Sequence, residues 1–321
     1  MKRLLAKLLP FLFLIVLVAL LAVTTRGFVK GENIANILRF SSGIVIMGVG
    51  MTFVIVSAGI DLSVGSIVAF TSVIVAWCMH GGIPLVPSLL IGTLTGSLWG
   101  ALNGALIVTL RLPPFVATLA SMGMARGGAI LLARHITGFG TSIEITDESF
   151  AQIGSGTIFS VGSVPVLVPV VIMFVVVALG YYILNHTRLG RYTFAIGSNV
   201  EAARFSGIGV GRYTLLVYIL LGTLAGVAGM IEASINRGGH GTLGQGYELQ
   251  VIAAVVIGGG SLSGGVGTIL GTLSGALIMG VIRNGCILNR IDYEWQLVVI
   301  SVLIVIAVAV DTYRRRRTGT A

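Results

Sequence analysis

The most regular feature of the chain is a series of apolar segments separated by short polar stretches. A membrane core requires about 20 apolar residues in a helix. About ten segments approach that length: Leu8–Val23, Ser42–Ile60, Val64–Met79, Pro84–Leu110, Pro113–Ala133, Pro165–Leu184, Tyr213–Ala233, Leu249–Gly258, Val266–Ile282 and Trp295–Val310. The pattern predicts an all-α polytopic transmembrane helix bundle of about ten spans, in one domain over residues 1–321.

Composition supports this prediction and excludes several other classes of protein. Hydrophobic residues make up 55% of the 321 residues and charged residues only 10%. Soluble domains carry about 25% charged residues, so a soluble enzyme and a disordered chain are both excluded. The net charge of +9 does not require a nucleic acid, because basic residues collect in the cytoplasmic loops of membrane proteins. Membrane lipid is the expected surrounding.

Basic residues also predict the orientation of the chain. The segments assigned to the cytoplasm are the richer in them: Lys2, Arg3, Lys7, Arg111, Arg188, Arg191, Arg204, Arg212 and the Arg314–Arg317 run. The Arg26–Arg39 segment, assigned to the other side, opposes this bias. The four-arginine run decides it, so both termini are predicted to be cytoplasmic.

Two polar segments are longer than simple turns. Residues 134–163 form a predicted extracytoplasmic lobe that carries Glu144, Asp147 and Glu148. Residues 186–212 form a predicted cytoplasmic loop, in which residues 198–201 (SNVE) fit a capping box and Gly207 fits a C-terminal cap. The pattern predicts a helix of about two turns, which is too short to be stable in water unless it docks. The alternative is a plain connector with a local cap.

Glycines repeat at every fourth position in several spans. One row is Gly92, Gly96, Gly100 and Gly104, a second is Gly267, Gly271 and Gly275, and Gly222 pairs with Gly226. This spacing removes side chains from one helix face and lets another backbone approach. The rows therefore predict close helix packing and say nothing about chemistry.

An internal echo is more informative about function. Residues 59–65 (GIDLSVG) and 259–265 (GGSLSGG) share the pattern G-x-[DS]-L-S-x-G and lie on the same predicted side. Short spans interrupted by glycine are typical of discontinuous helices around a transport path. The alternative is a pair of tight glycine turns that join helical hairpins.

Few residues in the spans could carry chemistry. The chain has no G-x-x-x-x-G-K-[ST] sequence for binding ATP and no H-E-x-x-H or G-x-S-x-G sequence, so it is not expected to be an enzyme or to bind a metal. Asp61 is a candidate functional carboxylate because charge is costly at membrane depth, or else it caps the following helix. Glu232 lies at the outer end of a span, where exposure at the interface is expected.

A path for a polar, uncharged solute needs hydrogen-bonding and aromatic groups on an apolar wall. Trp99 and Asn103 are four residues apart on one predicted helix face. The candidates for this path are Asp61, Ser63, Trp99, Asn103, Ser261 and Ser263.

Three longer stretches resemble a known family. Residues 47–66 (MGVGMTFVIVSAGIDLSVGS), residues 186–192 with 197–208 (HTRLGRY, GSNVEAARFSGI) and residues 247–265 (YELQVIAAVVIGGGSLSGG) are similar to bacterial monosaccharide ABC-importer permeases of the ribose-transport type. The similarity extends over nearly the whole chain, with the motifs in the family's order.

The resemblance implies a permease subunit in the bacterial inner membrane, paired with a second copy or a close paralogue. It further implies cytosolic ATPase subunits that hold ATP and Mg²⁺, with no cofactor on this chain, and a periplasmic sugar-binding protein. The cytoplasmic loop of the family couples to the ATPase, and the matching residues are Arg188, Gly190, Arg191, Ser198, Glu201, Ala202, Ala203 and Gly207. The acidic residues Glu144, Asp147 and Glu148 would face the binding protein.

Three alternatives remain open at this stage. A secondary transporter driven by H⁺ or Na⁺ would use Asp61 or Glu232 as its coupling carboxylate. An ABC importer could also carry a solute other than a sugar. A membrane scaffold without transport activity would leave the repeated glycine turns without a purpose.

Overall fold

A computed structural model describes residues 2–292, 294–296, 298–303, 305–306 and 309, with side chains from residue 9 onward. The Arg314–Arg317 run and part of the last predicted span, Trp295–Val310, lie outside the described residues. The predicted cytoplasmic position of both termini therefore stays a prediction.

The described chain is mainly helical, as the apolar segments predict. The helices are α1 (Lys2–Thr24), α2 (Gly31–Val56), α3 (Val64–His80), α4 (Leu85–Val108), α5 (Pro114–Thr137), α6 (Glu148–Ser155), α7 (Val168–His186), α8 (Arg188–Ser198), α9 (Val200–Phe205), α10 (Val210–Ile235), α11 (Tyr247–Ile257) and α12 (Ile269–Leu288). Residues 294–296 and 298–303 are helical as well. A membrane helix bundle is thus confirmed.

Only some of the described helices are long enough to cross a membrane. Six of the described helices are long and apolar enough to cross a membrane, namely α2, α4, α5, α7, α10 and α12. The apolar helices Leu9–Thr24, Val64–His80, Tyr247–Ile257 and Glu294–Leu303 are shorter. The count of about ten spans is therefore not confirmed and stays a prediction.

Four short strands were not predicted. β1 (Ser142–Glu144) pairs antiparallel with β4 (Gly238–His240), and β2 (Thr157–Val161) pairs antiparallel with β3 (Val164–Leu167). The first pair joins the lobe to the segment after α10, with Ile143 opposite Gly239. Three-residue strands have too few positions to show an alternating pattern in a sequence.

Helix α2 lies at the centre of the bundle. Every residue from 41 to 56 is buried, which explains why this segment is apolar all round instead of on one stripe. Helices α3, α7, α10, α11 and α12 all pack against α2 or its neighbours. The polar residues that remain inside this shell are the candidates for function.

The glycine rows make the close helix contacts that their spacing predicts. A Cβ on Gly96 would meet the Gly222 carbonyl oxygen and would lie 2.8 Å from the Gly226 Cα. A Cβ on Gly271 of α12 would meet the carbonyl oxygen of Gly258, at the end of α11. The α4–α10 and α11–α12 contacts are therefore between backbones, which small residues permit.

The two echoed turns lie at the same end of the bundle, as predicted, because Gly264 packs against Ala58. Their structural register differs from the sequence match by one residue. The amide of Gly59 donates to the Val54 carbonyl (2.9 Å), and that of Gly260 donates to the Val255 carbonyl (2.8 Å). Gly59 thus corresponds to Gly260 and not to Gly259, because the point at which each helix ends sets the turn.

Candidate transport site

A buried polar cluster lies in the turn between α2 and α3. Asp61 is 1% exposed, and its Oδ1 accepts hydrogen bonds from the Ser63 amide (2.7 Å) and the Ser63 hydroxyl (2.6 Å). Ser63 is the residue that precedes α3. Asp61 therefore orders the turn that begins α3, although it is not itself the N-cap residue.

Two other helices hold this turn. The Asn103 amide on α4 donates to Asp61 Oδ2 (3.0 Å) and to the Ser63 hydroxyl (2.8 Å). The Tyr218 hydroxyl on α10 donates to the carbonyl of Ile60 (3.1 Å). The structure thus brings together three of the predicted path residues, Asp61, Ser63 and Asn103, but it buries all of them.

The other predicted path residues lie elsewhere. Trp99 packs edge-on against Phe70, with ring centroids 5.4 Å apart and an interplanar angle of 77°. Ser261 is buried within the turn between α11 and α12, and Ser263 in the same turn is exposed. The role of each of these residues in a path stays a prediction.

The predicted cytoplasmic helix is present, but Asn199 and not Ser198 is its cap. Asn199 Oδ1 accepts from the Ala202 amide (2.9 Å), whereas the Ser198 hydroxyl donates to the Phe194 carbonyl (2.8 Å). Ser198 is the last residue of α8, so its side chain satisfies that helix. Gly207, at φ 78°, follows α9 as the predicted C-terminal cap.

The segment formed by α8 and α9, called the elbow here, presents an exposed surface. Phe205 is 89% exposed, and Glu201 pairs with Arg204 at 3.0 Å in the open. The predicted coupling residues Arg188, Arg191, Ser198, Glu201, Ala202 and Gly207 are exposed, whereas Gly190 and Ala203 are buried. Gly190 packs against the backbone of Leu184, so its absent side chain sets the angle between α7 and α8.

The elbow is joined to the Asp61 cluster through the end of α2. Gly197 packs against the carbonyl oxygen of Val56. The Gly265 amide donates to that same oxygen at 2.9 Å, and Gly264 packs against Ala58. A displacement of the elbow would therefore be transmitted to the turn that holds Asp61 through direct packing contacts.

The lobe uses two of its three acidic residues for its own structure. Asp147 caps α6 by accepting from the Phe150 amide (2.9 Å). Glu148 accepts two hydrogen bonds from Arg237, at 2.9 and 3.3 Å, and this hydrogen bond and charge raise the pKa of Arg237. Glu144 is exposed, and its side chain makes no hydrogen bond or ion pair with the described part of the chain.

Glu232 is buried, and the expectation that it lies exposed at the interface is wrong. Glu232 is 5% exposed, and its side chain lies beside Gly43 of α2. A Cβ added to Gly43 would lie 3.0 Å from Oε1 of Glu232. Tyr247 interacts with both Glu232 and Arg283. The helix-end position of Glu232 suggested exposure, but the absent side chain of Gly43 makes room for it inside.

Beside Tyr247 the bundle opens into a hollow of about 350 Å³, called the lobe-side hollow here. It lies between the end of α10 and the start of α11, and its lining includes Asn236, His240, Thr242, Leu243, Gln245 and Tyr247. This hollow was not predicted from the sequence. The glycine-rich stretch 238–246 between two spans was the available signal.

The helix bundle, the exposed elbow on one end and the lobe on the other define a membrane permease. The chain belongs to the family described as branched-chain amino acid transport system / permease component, which matches residues 33–308.

Curated relatives cover nearly the whole chain. The ribose import permease protein RbsC of Haemophilus influenzae is 39% identical over 94% of this chain and 92% of its own length. RbsC of Bacillus subtilis is 40% identical over 95% and 92%, and the fructose import permease protein FrcC of Rhizobium meliloti is 37% identical over 96% and 85%. No solved structure matches the chain.

Proposed function

We propose that the chain is the permease subunit of an ATP-binding-cassette importer for a monosaccharide, ribose or a related sugar, in the bacterial inner membrane. The observation that carries the proposal is the similarity of 39% over 94% of the chain to a ribose import permease. Relatives named for fructose and D-allose support a sugar as the class of solute.

A separate subunit would supply the energy for transport. The chain lacks a glycine-rich phosphate-binding sequence, so ATP and Mg²⁺ would bind to separate cytosolic ATPase subunits. The elbow, with exposed Phe205 beside Glu201 and Arg204, is the surface that would receive those subunits. A periplasmic sugar-binding protein would dock on the lobe, and a second copy or a paralogue would complete the permease.

The contacts suggest how force would be transmitted. ATP-driven closure of the partners would displace the elbow, which packs through Gly197 on the end of α2. The turn after α2 is bonded to α4 through Asn103 and to α10 through Tyr218. Moving this turn would therefore shift two membrane helices together, a rigid-body switch between two packed arrangements.

Two other functions have less support. The family's description names branched-chain amino acids, which keeps a solute other than a sugar as the second candidate. An ion-coupled transporter would use Asp61 or Glu232 as its coupling carboxylate. Both oxygens of Asp61 already accept hydrogen bonds, and Glu232 already interacts with Tyr247 and Arg283.

The decisive experiment is to capture the chain from native membranes and to reconstitute what comes with it in liposomes. We expect a stoichiometric ATPase subunit, and ATP-dependent uptake of labelled ribose, fructose or allose once the binding protein is added. Uptake of leucine in place of any sugar would establish the second candidate. Transport by the chain alone, driven by an ion gradient, would overturn the importer proposal.

A further inference from the structure

We propose that the lobe-side hollow is a binding site for a neutral, polyhydroxylated solute of monosaccharide size on its way into the bundle. This inference rests on the proposed function and adds to it the residues and the selectivity of one site. None of the path residues expected from the sequence lines this hollow.

The backbone that lines the hollow lies inside the bundle, at the depth of the apolar helix α3. Gly239 packs against the carbonyl of Ser72 in the middle of α3, and Gly244 packs against Gly65 near the start of the same helix. The segment therefore descends along α3 instead of passing over its end. Irregular backbone at this depth is tolerated only where protein buries it or where it lines a watery cavity, and here it lines the hollow.

A half-buried arginine holds this segment in place. Arg126 of α5 donates from Nη1 to the carbonyl of Gly241 (3.1 Å) and to that of Leu243 (2.6 Å). Two backbone carbonyls inside the bundle are satisfied in this way. The side chains of Thr242 and Gln245, between and after these two carbonyls, face the hollow.

The lining chemistry suits a sugar. The side chains of His240, Thr242 and Gln245 make no hydrogen bond within the part of the chain that the structure describes, so their donors and acceptors are available. The aromatic ring of Tyr247 forms part of the wall. The volume of about 350 Å³ lies at the small end of the range of about 300–1,000 Å³ for small-molecule sites.

The same lining disfavours a branched-chain amino acid. Burying a zwitterion is costly unless both of its charges are paired and hydrogen-bonded, and burial of an aliphatic side chain is favoured by an apolar surface. No Asp, Glu, Lys or Arg is among the lining residues, and Leu243 is the only aliphatic side chain among them. The nearby charges of Glu232 and Arg283 interact with Tyr247, and neither belongs to the lining.

The first test removes single polar atoms and leaves side-chain volume nearly unchanged. Complexes that contain Gln245→Met or Thr242→Val are reconstituted with the ATPase and the binding protein, after stoichiometric co-purification shows assembly. Each lost hydrogen bond should lower sugar uptake about 2- to 10-fold. Thr24→Val, on an exposed side chain of α1 that bonds only to the Leu20 carbonyl of its own helix, is the matched control and should transport normally.

A second test reports on occupancy and does not require transport. The two native cysteines, Cys78 and Cys286, are buried, so a thiol reagent should modify a Thr242→Cys variant selectively. Ribose at or above its dissociation constant occupies at least half of the sites and shields their thiols, so it should slow this modification at least about 2-fold, and leucine should not. Thr242→Trp should block uptake as a plug, whereas Thr24→Trp on the periphery should not.

The outcomes distinguish a failure of the proposed binding site from a failure of the proposed function. If the unaltered complex imports sugar and the Gln245→Met/Thr242→Val double variant imports it equally well, the hollow is not the site. If the unaltered complex imports no sugar, the proposed function fails, and the hollow fails with it as a sugar site. Protection of the Thr242→Cys variant by leucine in place of ribose would overturn the proposed selectivity.

Discussion

Asn103 of α4 and Asp61 in the turn after α2 form a hydrogen bond of 3.0 Å. Both side chains are fully buried or nearly so, at 0% and 1% exposure. Because Asp61 also accepts two hydrogen bonds from Ser63, and Asn103 donates to the Ser63 hydroxyl as well, this cluster links α4 to the start of α3.

Removing the donor should therefore destabilise the permease. Asn103→Leu keeps the size of the side chain but leaves a buried oxygen of Asp61 without its donor, at a cost of about 1–3 kcal/mol. Thermal unfolding in detergent measures the loss. Asn185→Leu is the matched control, because Asn185 is exposed on α7 and bonds only to the Tyr181 carbonyl of its own helix.

Exchanging the two residues tests whether the pair acts as a unit. Oδ1 of residue 61 faces Ser63, so Asp61→Asn replaces the accepting Oδ2 with an NH₂ group opposite the NH₂ group of Asn103. Adding Asn103→Asp restores a donor facing an acceptor. We expect the double variant to recover at least half of the stability lost by Asp61→Asn, since contacting residues are not additive. Strictly additive losses in the double-mutant cycle would show that the contact has no energetic role.

The cap of α9 should matter for coupling. Asn199→Ala removes the side chain that bonds to the Ala202 amide and should weaken this six-residue helix by about 1 kcal/mol. In the reconstituted importer the number of sugars taken up per ATP should fall. Ser198→Ala is the control, because Ser198 bonds only within α8, and equal effects of both variants would exclude Asn199 as the functional cap.

The charge of Glu201 should contribute to docking of the ATPase and not to the fold. Its ion pair with Arg204 is exposed, so losing that pair should change stability by less than about 1 kcal/mol. Glu201→Lys should reduce the amount of ATPase that co-purifies with the chain, and Glu201→Gln should do so less. Normal uptake by the Glu201→Lys variant would remove Glu201 from the coupling surface.

The close contact between the glycine rows of α4 and α10, called the glycine seam here, should tolerate no side chain. A Cβ at Gly96 would meet the carbonyl oxygen of Gly222, while a Cβ at Gly123 of α5 would meet nothing within 4 Å. Gly96→Ala should cost about 1–3 kcal/mol as overpacking, and Gly123→Ala should be neutral or stabilising by up to about 1 kcal/mol. Gel filtration and melting temperature of the two variants provide the comparison.

In the lobe, Glu144 is the acidic residue available to a partner. Glu144→Lys should weaken stimulation of ATP hydrolysis by the binding protein, most strongly at low salt, because an exposed charge is screened. Asp147→Ala should instead lower lobe stability by about 1 kcal/mol through loss of the α6 cap. If the Glu144→Lys variant responds to the binding protein as the unaltered chain does at every salt concentration, Glu144 is not part of the docking surface.

The sequence by itself determined the membrane bundle, the positions of its main helices, the glycine seams and the family. These features depend on properties that are local along the chain. Apolar length follows from the thickness of the bilayer, and a four-residue glycine period places one bare face on a helix. Gly207 could likewise be assigned because a left-handed residue commonly ends a helix.

Only the tertiary structure decided which polar groups meet. Ser198 and Asn199 both suit an N-cap, and the choice depended on where α8 ends. The bond between Asp61 and Asn103, the burial of Glu232 beside Gly43, and the pairing of β1 with β4 all join residues that are distant in the chain. Such contacts depend on how the helices pack, and so does the lobe-side hollow, whose walls come from the end of α10, the glycine-rich stretch 238–246 and the start of α11.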